Sequence, residues 1–340
     1  MSFWRNKKVL VTGGAGFIGS YLVEDLVKEG AIVTVADNLE RGKLDNLKKV
    51  SKNIIFYITD LRNYDNCLKV CKNQDLVMNL AAKVTGIEYN RTHQRDMFES
   101  NMTLQQNVLK AAWEREVQRF LQVSTACIYP NDAAVPTCEN EGTRGEPEPT
   151  NSGYGWAKRM GERLAEYYAQ ETKMEIAMVR PFNSYGARDY YDIKTSHVIP
   201  ALIRKIHIGQ NPVEVWGSGN QSRVFIHARD VASGMKLVTE KYAKADPVNI
   251  GHDQDIQIRE LVEKIQNIMN IHNPVFYNTK MPEGYPRRAA DITKLKSVTG
   301  GFIPTVSIDE GLAESIEFFK EMLKENALLD TNLASYYGSE

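Results

Sequence analysis

Short apolar runs alternate with amphipathic helical patterns over the first 180 residues, and this alternation constrains the fold more than any other feature of the chain. Apolar runs without polar alternation are typical of strands that are covered on both faces of a parallel sheet. Such runs in series, each followed by a helical pattern, imply right-handed crossovers. They predict an α/β fold with a Rossmann-type, doubly wound parallel sheet. The predicted strands are residues 8–11, 32–36, 54–58, 76–80, 120–123 and 176–179.

The pattern changes after Pro181, where the loops lengthen and the apolar runs shorten. We therefore expect residues 1–180 to form the sheet domain and residues 181–325 to form mainly a smaller, mixed α/β lobe. Residues 326–340 are expected to be a C-terminal tail. A chain of 340 residues, 42% of them hydrophobic, can bury a core in each part.

Charge and cysteine content exclude several classes of protein. The formal net charge is −1 and no block of lysine or arginine is present, which argues against nucleic acid or an acidic membrane as a partner. Four irregularly spaced cysteines fit neither a disulfide framework nor a zinc site, so we expect a cytoplasmic protein without a metal. No apolar stretch approaches the ~20 residues that cross a bilayer.

A glycine-rich segment follows the first predicted strand and precedes a helical pattern. Gly13, Gly16 and Gly19 would allow a tight turn and let the backbone approach a pyrophosphate at the helix N-terminus. The next strand ends at Asp37, 18 residues beyond Gly19, where a carboxylate can accept both ribose hydroxyls of a dinucleotide. That carboxylate also repels a 2′-phosphate, which favours NAD over NADP.

Other positions at the carboxyl ends of the predicted strands are expected to contact the same cofactor. Arg41 and Lys43 lie close enough to Asp37 in sequence to weaken the preference for NAD. For Asp60, a turn-forming role is an equal alternative. The further predicted cofactor contacts are Phe17, Ile18, Asn38, Asp60, Leu61, Ala81 and Ala82.

A tyrosine and a lysine are placed to carry proton chemistry. Tyr154 and Lys158 are four residues apart, so they share one face of a helix and the ammonium could lower the pKa of the phenol. The phenolate would take a proton from a substrate hydroxyl while hydride leaves the carbon for nicotinamide. Thr125, 29 residues before Tyr154, supplies a hydroxyl that could hold the same oxygen.

These motifs resemble those of the extended short-chain dehydrogenase/reductase family, in its nucleotide-sugar epimerase and dehydratase branch. The resemblance implies that Tyr154 is the base, that Lys158 and Thr125 support it, and that Asn101 is a structural or cofactor-side contact. It also implies that residues 224–252 return to the first domain. Two long helices, near 97–114 and 157–171, would form a homodimer. The matching segments run through the whole chain: TGGAGFIG, DNLERGK, TDLR, NLAA, STACIYP, YGWAK, RPFNSYG, VWGSGNQSRVFIHARD, VNIG and PRRAAD.

Within that branch, the segments ACIYP, AAKVTGIEYN and TSHVIPALIRK are similar to those of GDP-fucose synthases and GDP-mannose 3,5-epimerases. The resemblance implies that Cys127 and a basic residue exchange protons beside a C4 ketone. His197 matches the histidine of the synthases, where the epimerases have a lysine. Without the resemblance, a lone cysteine after a strand and a lone histidine before a helix are more often structural. Ala126 and Cys127 replace the Asp-Glu pair that a 4,6-dehydratase needs, so dehydration is disfavoured.

The resemblance also implies a set of contacts to the sugar nucleotide. Guanidinium groups suit a diphosphate through paired hydrogen bonds, and an aromatic ring can pack against a sugar or base. The alternative for each is a surface charge or, for the tryptophan, a core position. The predicted substrate contacts are Gly86, Asn183, Val198, Lys205, Trp216, Arg223, Arg287 and Arg288.

Together these features predict an NAD-dependent nucleotide-sugar epimerase that acts at C3 or C5, or both, of a GDP-hexose or GDP-heptose. Asp37 is similar to the acid of the NAD-retaining epimerases, whereas the synthases lack it and consume NADPH. The enzymatic alternatives are an epimerase/reductase of the synthase type, a C4 epimerase and an NAD-dependent C4 dehydrogenase. A non-catalytic dinucleotide-binding protein is disfavoured because Tyr154 and Lys158 are both present.

Overall fold

Parallel strands form the centre of the computed structural model, which describes residues 2–192, 196–281 and 286–329. The strands, in chain order, are β1 (Lys8–Thr12), β2 (Ile32–Asp37), β3 (Ile54–Ile58), β4 (Leu76–Asn79), β5 (Arg119–Val123), β6 (Glu175–Pro181), β7 (Ser184–Tyr185), β8 (Val213–Trp216), β9 (Ser222–Val224), β10 (Ile226–His227), β11 (Val248–Ile250), β12 (Asp255–Gln257), β13 (Val275–Asn278) and β14 (Arg287–Arg288).

Helices follow most of the strands. They are α1 (Phe17–Lys28), α2 (Tyr64–Val70), α3 (Ile87–Thr92), α4 (Gln94–Glu114), α5 (Ser152–Glu171), α6 (Val198–His207), α7 (Ala228–Lys241), α8 (Ile258–Met269), α9 (Thr293–Thr299) and α10 (Ile308–Leu329). Short 3₁₀ segments cover Leu44–Leu47, Ser51–Asn53, Ala126–Ile128, Glu139–Thr143 and Pro149–Asn151. None of the helices in the described ranges combines the length and apolar character of a membrane span.

Seven of the strands form one sheet in the order β11-β6-β5-β4-β1-β2-β3, and their pairings are parallel. This confirms the predicted α/β fold class. Strand β1 lies between β4 and β2, so the connection after β1 runs to one side of the sheet and the connection after β4 runs to the other. This divergence leaves a crevice at the carboxyl ends of the two strands. Val9, Leu10 and Val11 of β1 are completely buried because helices cover both faces.

The second part of the chain has small sheets of its own. Strands β8 and β13 pair in parallel, and β9 lies between β12 and β14. Side chains of β8, β12 and β13 share a core with α6, α8 and α10, which includes the buried residues Ile203, Val213, Leu261 and Leu312. The boundary near residue 180 stays a prediction. Strand β11 lies within the segment that was expected to return to the first domain, and it pairs with β6.

Three local expectations differ from the structure. The apolar run 224–226 predicts a single strand, whereas the structure has two short strands there in different sheets, because β9 pairs with β12 and β10 pairs with β7. The helix expected near residues 157–171 begins earlier, because α5 starts at Ser152, so Tyr154 and Lys158 both lie on it. Helix α10 continues through residues 326–329, where a tail was expected, and residues 330–340 lie outside the described part of the chain.

Helices α4 and α5 pack against each other beside the sheet. They expose large apolar side chains at Phe98, Trp113 and Tyr167. The homodimer expected through these helices stays a prediction.

A buried ion pair holds α5 against the sheet. Arg180 of β6 donates Nε and Nη2 to the two carboxylate oxygens of Glu162 on α5, at 2.8 and 2.7 Å. The side chains are only 2% and 5% exposed. Nη1 of the same guanidinium donates to the Glu139 carbonyl at 2.6 Å and to the Tyr129 hydroxyl at 3.1 Å. Removing one partner would leave the other as an unpaired buried charge.

We predict that Glu162→Ala lowers the free energy of unfolding by about 3–5 kcal/mol, the usual cost of breaking a buried pair from one side. Chemical denaturation followed by circular dichroism measures it. The control is Arg163→Ala on the same helix, which removes the exposed arginine of a pair with Glu166 and should cost less than about 1 kcal/mol. Equal losses in the two variants would contradict the role given to Glu162.

Candidate active site

One large cleft opens at the carboxyl ends of the sheet strands and continues under the second lobe. Its volume is about 940 Å³, at the upper end of the roughly 300–1,000 Å³ typical of ligand pockets. Among the described residues, those that line it include every predicted catalytic and cofactor contact except Asn101, and every predicted substrate contact except Arg287.

The turn between β1 and α1 forms the floor of this cleft. Gly13 has a φ of +67°, and a Cβ there would lie 3.0 Å from the Ala81 nitrogen. A Cβ on Gly19 would lie 2.2 Å from the Gly13 carbonyl oxygen, so no larger residue fits without moving the turn. Gly16 stands directly before the first turn of α1, where free N–H groups favour an anion. The turn therefore fits the pyrophosphate of a dinucleotide.

The Asp37 carboxylate ends β2 beside this turn and is held in place by backbone groups. One oxygen accepts a hydrogen bond from the Ala15 N–H at 3.0 Å and the other from the Leu39 N–H at 2.9 Å. Burial raises the pKa of Asp37, and these two hydrogen bonds oppose the rise. The site thus presents a fixed carboxylate where the sequence predicts an adenosine ribose.

Arg41 faces a different part of the cleft. Its guanidinium donates to the Val84 carbonyl in the loop after β4. It also lies over the Tyr190 ring, with Cζ 4.3 Å from the ring centroid. Arg41 therefore connects the loop after β2 with the segment after β7, and these contacts direct its charge toward Tyr190.

Two predicted cofactor contacts have protein partners. Asn101 is fully buried and does not line the cleft; its side chain accepts from the Lys83 N–H at 3.0 Å and donates to the Lys83 carbonyl at 3.1 Å. Of the two roles left open for Asn101, the structural one fits these bonds, which fix the loop after β4. Asp60 remains at the rim, where its carboxylate binds Arg62 and this ion pair lowers its pKa.

Tyr154 and Lys158 lie one turn apart on α5, with the Lys158 Nζ 5.7 Å from the centroid of the Tyr154 ring. The ammonium is 2% exposed and donates to the Val123 carbonyl at 2.9 Å. Burial lowers the pKa of Lys158 to about 8. Burial also raises the pKa of Tyr154, with a smaller contribution from Cys127. The direction is opposite to the expected lowering of the Tyr154 pKa, because burial of the phenol is the largest contribution in the protein alone.

Hydroxyl groups follow β5 at the same end of the cleft. Thr125 begins the 3₁₀ turn Ala126–Ile128, and its hydroxyl oxygen accepts from the Cys127 N–H at 3.2 Å. The Ser124 hydroxyl is buried in the cleft wall and has no hydrogen-bond partner among the residues that the structure describes. An unsatisfied buried hydroxyl costs free energy, so this group fits a site that a ligand completes.

Cys127 lies on the cleft wall near a partly buried ion pair. Burial raises the pKa of the Cys127 thiol, the Glu148 carboxylate raises it further, and Arg288 opposes both. Glu148 and Arg288 are 3.1 Å apart, with side chains 12% and 14% exposed. Arg288 was expected to bind a diphosphate, whereas here it pairs with Glu148. No sequence signal identified Glu148, which lies in an irregular loop far from its partner in the chain.

His197 lies directly before α6, on the lobe side of the cleft. Its Nδ1 lies 3.1 Å from both carboxylate oxygens of Asp189. The Asp189 carboxylate raises the pKa of His197, while burial and Arg41 oppose the rise. Sequence reasoning missed Asp189, although it lies only eight residues before His197.

The other predicted substrate contacts differ in their exposure and in the protein groups that they contact. Lys205 donates to the Glu214 carbonyl at 2.8 Å, and Arg223 donates to its neighbour's carbonyl, that of Ser222, at 2.7 Å. Trp216 ends β8 with 40% of its surface exposed. Arg287 points away from the cleft because it pairs with Asp255 at 3.0 Å. The remaining members of the set that line the cleft are Gly86, Asn183 and Val198.

Within the three described ranges, no group of three or more histidine, cysteine or acidic side chains is arranged to hold a metal ion. Cys67 and Cys71 are buried in an apolar cluster around α2 and α4. Burial raises the pKa of both thiols. Their environment fits a role in packing.

Comparison with known proteins agrees with this geometry. Residues 9–251 match the model of the NAD dependent epimerase/dehydratase family. A GDP-L-fucose synthase of Sinorhizobium fredii is 32% identical over 94% of this chain and 98% of its own length. A GDP-mannose 3,5-epimerase of Oryza sativa subsp. indica is 29% identical over 99% of this chain and 89% of its own length.

Solved structures show the same fold. A UDP-glucose 4-epimerase from Thermotoga maritima, solved with UDP-glucose, superposes with a TM-score of 0.84 at 27% identity, over 93% of this chain and 99% of that one. The chain therefore belongs to the NAD-dependent epimerase/dehydratase family.

We predict that Lys158→Met abolishes turnover without destabilising the protein. Keeping Lys158 charged at neutral pH costs about 3 kcal/mol, because its pKa falls from 10.5 in the unfolded chain to about 8. The variant should thus unfold at neutral pH with a free energy equal to or above that of the native protein. The difference should shrink between about pH 8 and 10.5, where native Lys158 loses its proton before the unfolded chain does. A loss of more than about 1 kcal/mol at neutral pH would contradict this account of the burial.

Proposed function

We propose that this member of the NAD-dependent epimerase/dehydratase family is a nucleotide-sugar epimerase. It would oxidise a GDP-hexose or GDP-heptose transiently at C4, exchange protons at C3 or C5, and reduce C4 again. One observation carries the proposal: Cys127 and His197 line the same cleft as Thr125, Tyr154 and Lys158. A cleft that only oxidised and reduced a hydroxyl would not need the additional thiol and imidazole.

The first step acts on the C4 hydroxyl. Tyr154 accepts its proton, and the Thr125 hydroxyl holds the same oxygen. Lys158 supplies positive charge next to the phenol, which favours the phenolate that this step needs. A bound nicotinamide cofactor would supply the hydride acceptor for the oxidation at C4 and the hydride donor for its reduction. The glycine turn and Asp37 are the groups of this chain that would hold that cofactor.

The second step acts on the carbon next to the new ketone. A ketone makes the hydrogens on its neighbouring carbons acidic enough for a side-chain base. A thiolate at Cys127 removes one of them as a proton, and the imidazolium of His197 returns a proton to the other face. The resulting thiol and neutral imidazole regain their starting states by exchange with water, so hydrogen from the solvent enters the product at that carbon.

Asp37 supports NAD as the cofactor of this cycle. Its carboxylate is held by two backbone N–H groups, so it cannot turn away from a 2′-phosphate. Arg41, which could have neutralised that phosphate, is engaged by Val84 and Tyr190. A 2′-phosphate would thus meet a fixed negative charge, and of the two basic residues near Asp37 in sequence, Arg41 is engaged elsewhere while Lys43 lines the same cleft.

We predict that the enzyme binds NAD at least about tenfold more tightly than NADP, which corresponds to about 1.4 kcal/mol. Asp37→Ala should remove most of this preference because it removes the repulsion. Fluorescence titration with both dinucleotides measures the ratio. Asp45→Asn is the control, since it removes an exposed carboxylate from the following 3₁₀ segment. Tighter binding of NADP by the native protein would rule out the role of Asp37.

The second candidate function is that of a GDP-fucose synthase, and the 32% identical relative from Sinorhizobium fredii favours it. Such an enzyme also needs the proton exchange at Cys127 and His197. It differs because its sugar arrives already as a C4 ketone and the reaction consumes a reduced cofactor. Retention of the cofactor through the cycle would distinguish the first function from the second, and Asp37 supports the first only in so far as it favours NAD over NADP.

The proposed reaction predicts that deuterium enters C3 or C5 when the enzyme turns over a GDP-hexose such as GDP-mannose in deuterated water. Cys127→Ser should slow this incorporation by about 10²–10⁴-fold, the usual contribution of a proton-transferring group. NMR and mass spectrometry of the product locate the label. Cys138→Ser is the matched control, because Cys138 is a free cysteine that does not line the cleft within the described residues. Turnover without label at either carbon would remove Cys127 and His197 from the mechanism.

A further inference from the structure

We propose that Asp189 is a positioning residue that selects the tautomer of His197 and presents its Nε2 to the substrate. The proposal rests on the proposed function, in which His197 returns a proton to carbon. Nothing in the pattern of the sequence pointed to Asp189. Its role follows from where the structure places its carboxylate relative to the ring.

The geometry of the pair is specific to one ring nitrogen. Both carboxylate oxygens of Asp189 lie 3.1 Å from Nδ1 of His197. An ionised carboxylate can only accept hydrogen bonds, so Nδ1 must carry the hydrogen that the pair shares. The remaining nitrogen, Nε2, is then an acceptor in the neutral ring and a donor in the charged ring.

Burial of Asp189 favours its hydrogen bond with Nδ1 of His197 over a bond to water. The Asp189 side chain is 3% exposed, whereas that of His197 is 47% exposed and lines the cleft. The only other bond assigned to the carboxylate within the described residues comes from the Tyr190 N–H, at 2.7 Å to Oδ1. A buried carboxylate without partners is costly, so the hydrogen bond from the ring and the nearby positive charge of Arg41 both stabilise Asp189.

Two charged groups face His197 from different elements. Asp189, in the segment after β7, stabilises the charged ring, and Arg41, in the loop after β2, opposes it. The guanidinium of Arg41 lies over Tyr190, the residue next to Asp189. The Asp189 anion therefore favours protonation of the His197 ring, and the Arg41 cation limits it.

The proton balance of the step is complete without another reactant. The electron pair of the enolate forms the new C–H bond with the proton from Nε2, and the C4 carbonyl is restored. The His197 ring changes from imidazolium to neutral imidazole while Nδ1 keeps its hydrogen toward Asp189. The ring therefore returns to the same orientation and tautomer after each turnover.

Two measurements test the proposal. Nitrogen NMR of the protein labelled at histidine identifies the His197 tautomer without substrate, and the native protein should carry the hydrogen on Nδ1. In Asp189→Asn the pKa of His197 should fall and the two tautomers should mix. The alkaline limb of the pH profile for deuterium incorporation should then move to lower pH. The rate at its optimum should fall by about ten- to a hundredfold, a part of what general acid–base catalysis contributes.

Asp65→Asn is the matched control, since it makes the same substitution at an exposed position on α2, outside the residues that line the cleft. It should keep the native tautomer and pH profile, and Asp189→Glu should keep the Nδ1–H tautomer. A native ring with its hydrogen on Nε2 would overturn the proposal whether or not any variant folds. So would an Asp189→Asn profile equal to that of Asp65→Asn. If the native enzyme incorporates no deuterium at C3 or C5, the proposed function fails, and the tautomer still decides whether Asp189 orients the ring.

Discussion

The ion pair between Glu162 and Arg180 is the interaction on which the geometry of the site depends most. It joins α5 to β6 in the interior, and α5 carries Tyr154 and Lys158. Because the pair is bidentate and buried, it fixes both the distance and the rotation of the helix against the sheet. Lys158 thereby reaches the Val123 carbonyl at the end of β5, and Tyr154, one turn before it on α5, lines the same cleft as Thr125. Without this ion pair, a substrate oxygen would have no defined position between the hydroxyls of Tyr154 and Thr125.

The same burial that gives the site its geometry opposes the charges that the chemistry needs. It lowers the pKa of Lys158 and raises the pKa of both Tyr154 and Cys127. The protein alone is therefore poised in a protonation state that favours neither phenolate nor thiolate. Among Tyr154, Lys158, Cys127 and His197, only His197 has its charged form favoured, through Asp189. Positive charge on the cofactor and contacts with the substrate would favour the phenolate and the thiolate, so the reaction depends on both ligands being bound in the cleft.

Local patterns were enough to predict the strands, the glycine turn, Asp37 and the pairing of Tyr154 with Lys158 on one helix face. Each of these depends on residues that are near each other in the chain. Contacts between distant segments were not predictable: Arg288 pairs with Glu148 across 140 residues, and Arg41 reaches Tyr190 in the other part of the molecule. The sign of the Tyr154 shift was wrong for a related reason, since burial is a property of the whole fold.

In the proposed reaction, hydride leaves C4 and returns to C4 within one binding event. A GDP-hexose carrying deuterium at C4 tests this, with mass spectrometry of product and cofactor after many turnovers. We expect an epimerised product that keeps the C4 deuterium, no label in free NADH, and turnover without an added reductant. Accumulation of deuterated NADH in solution, or a strict requirement for NADPH, would contradict it and would identify a reaction with net oxidation or reduction.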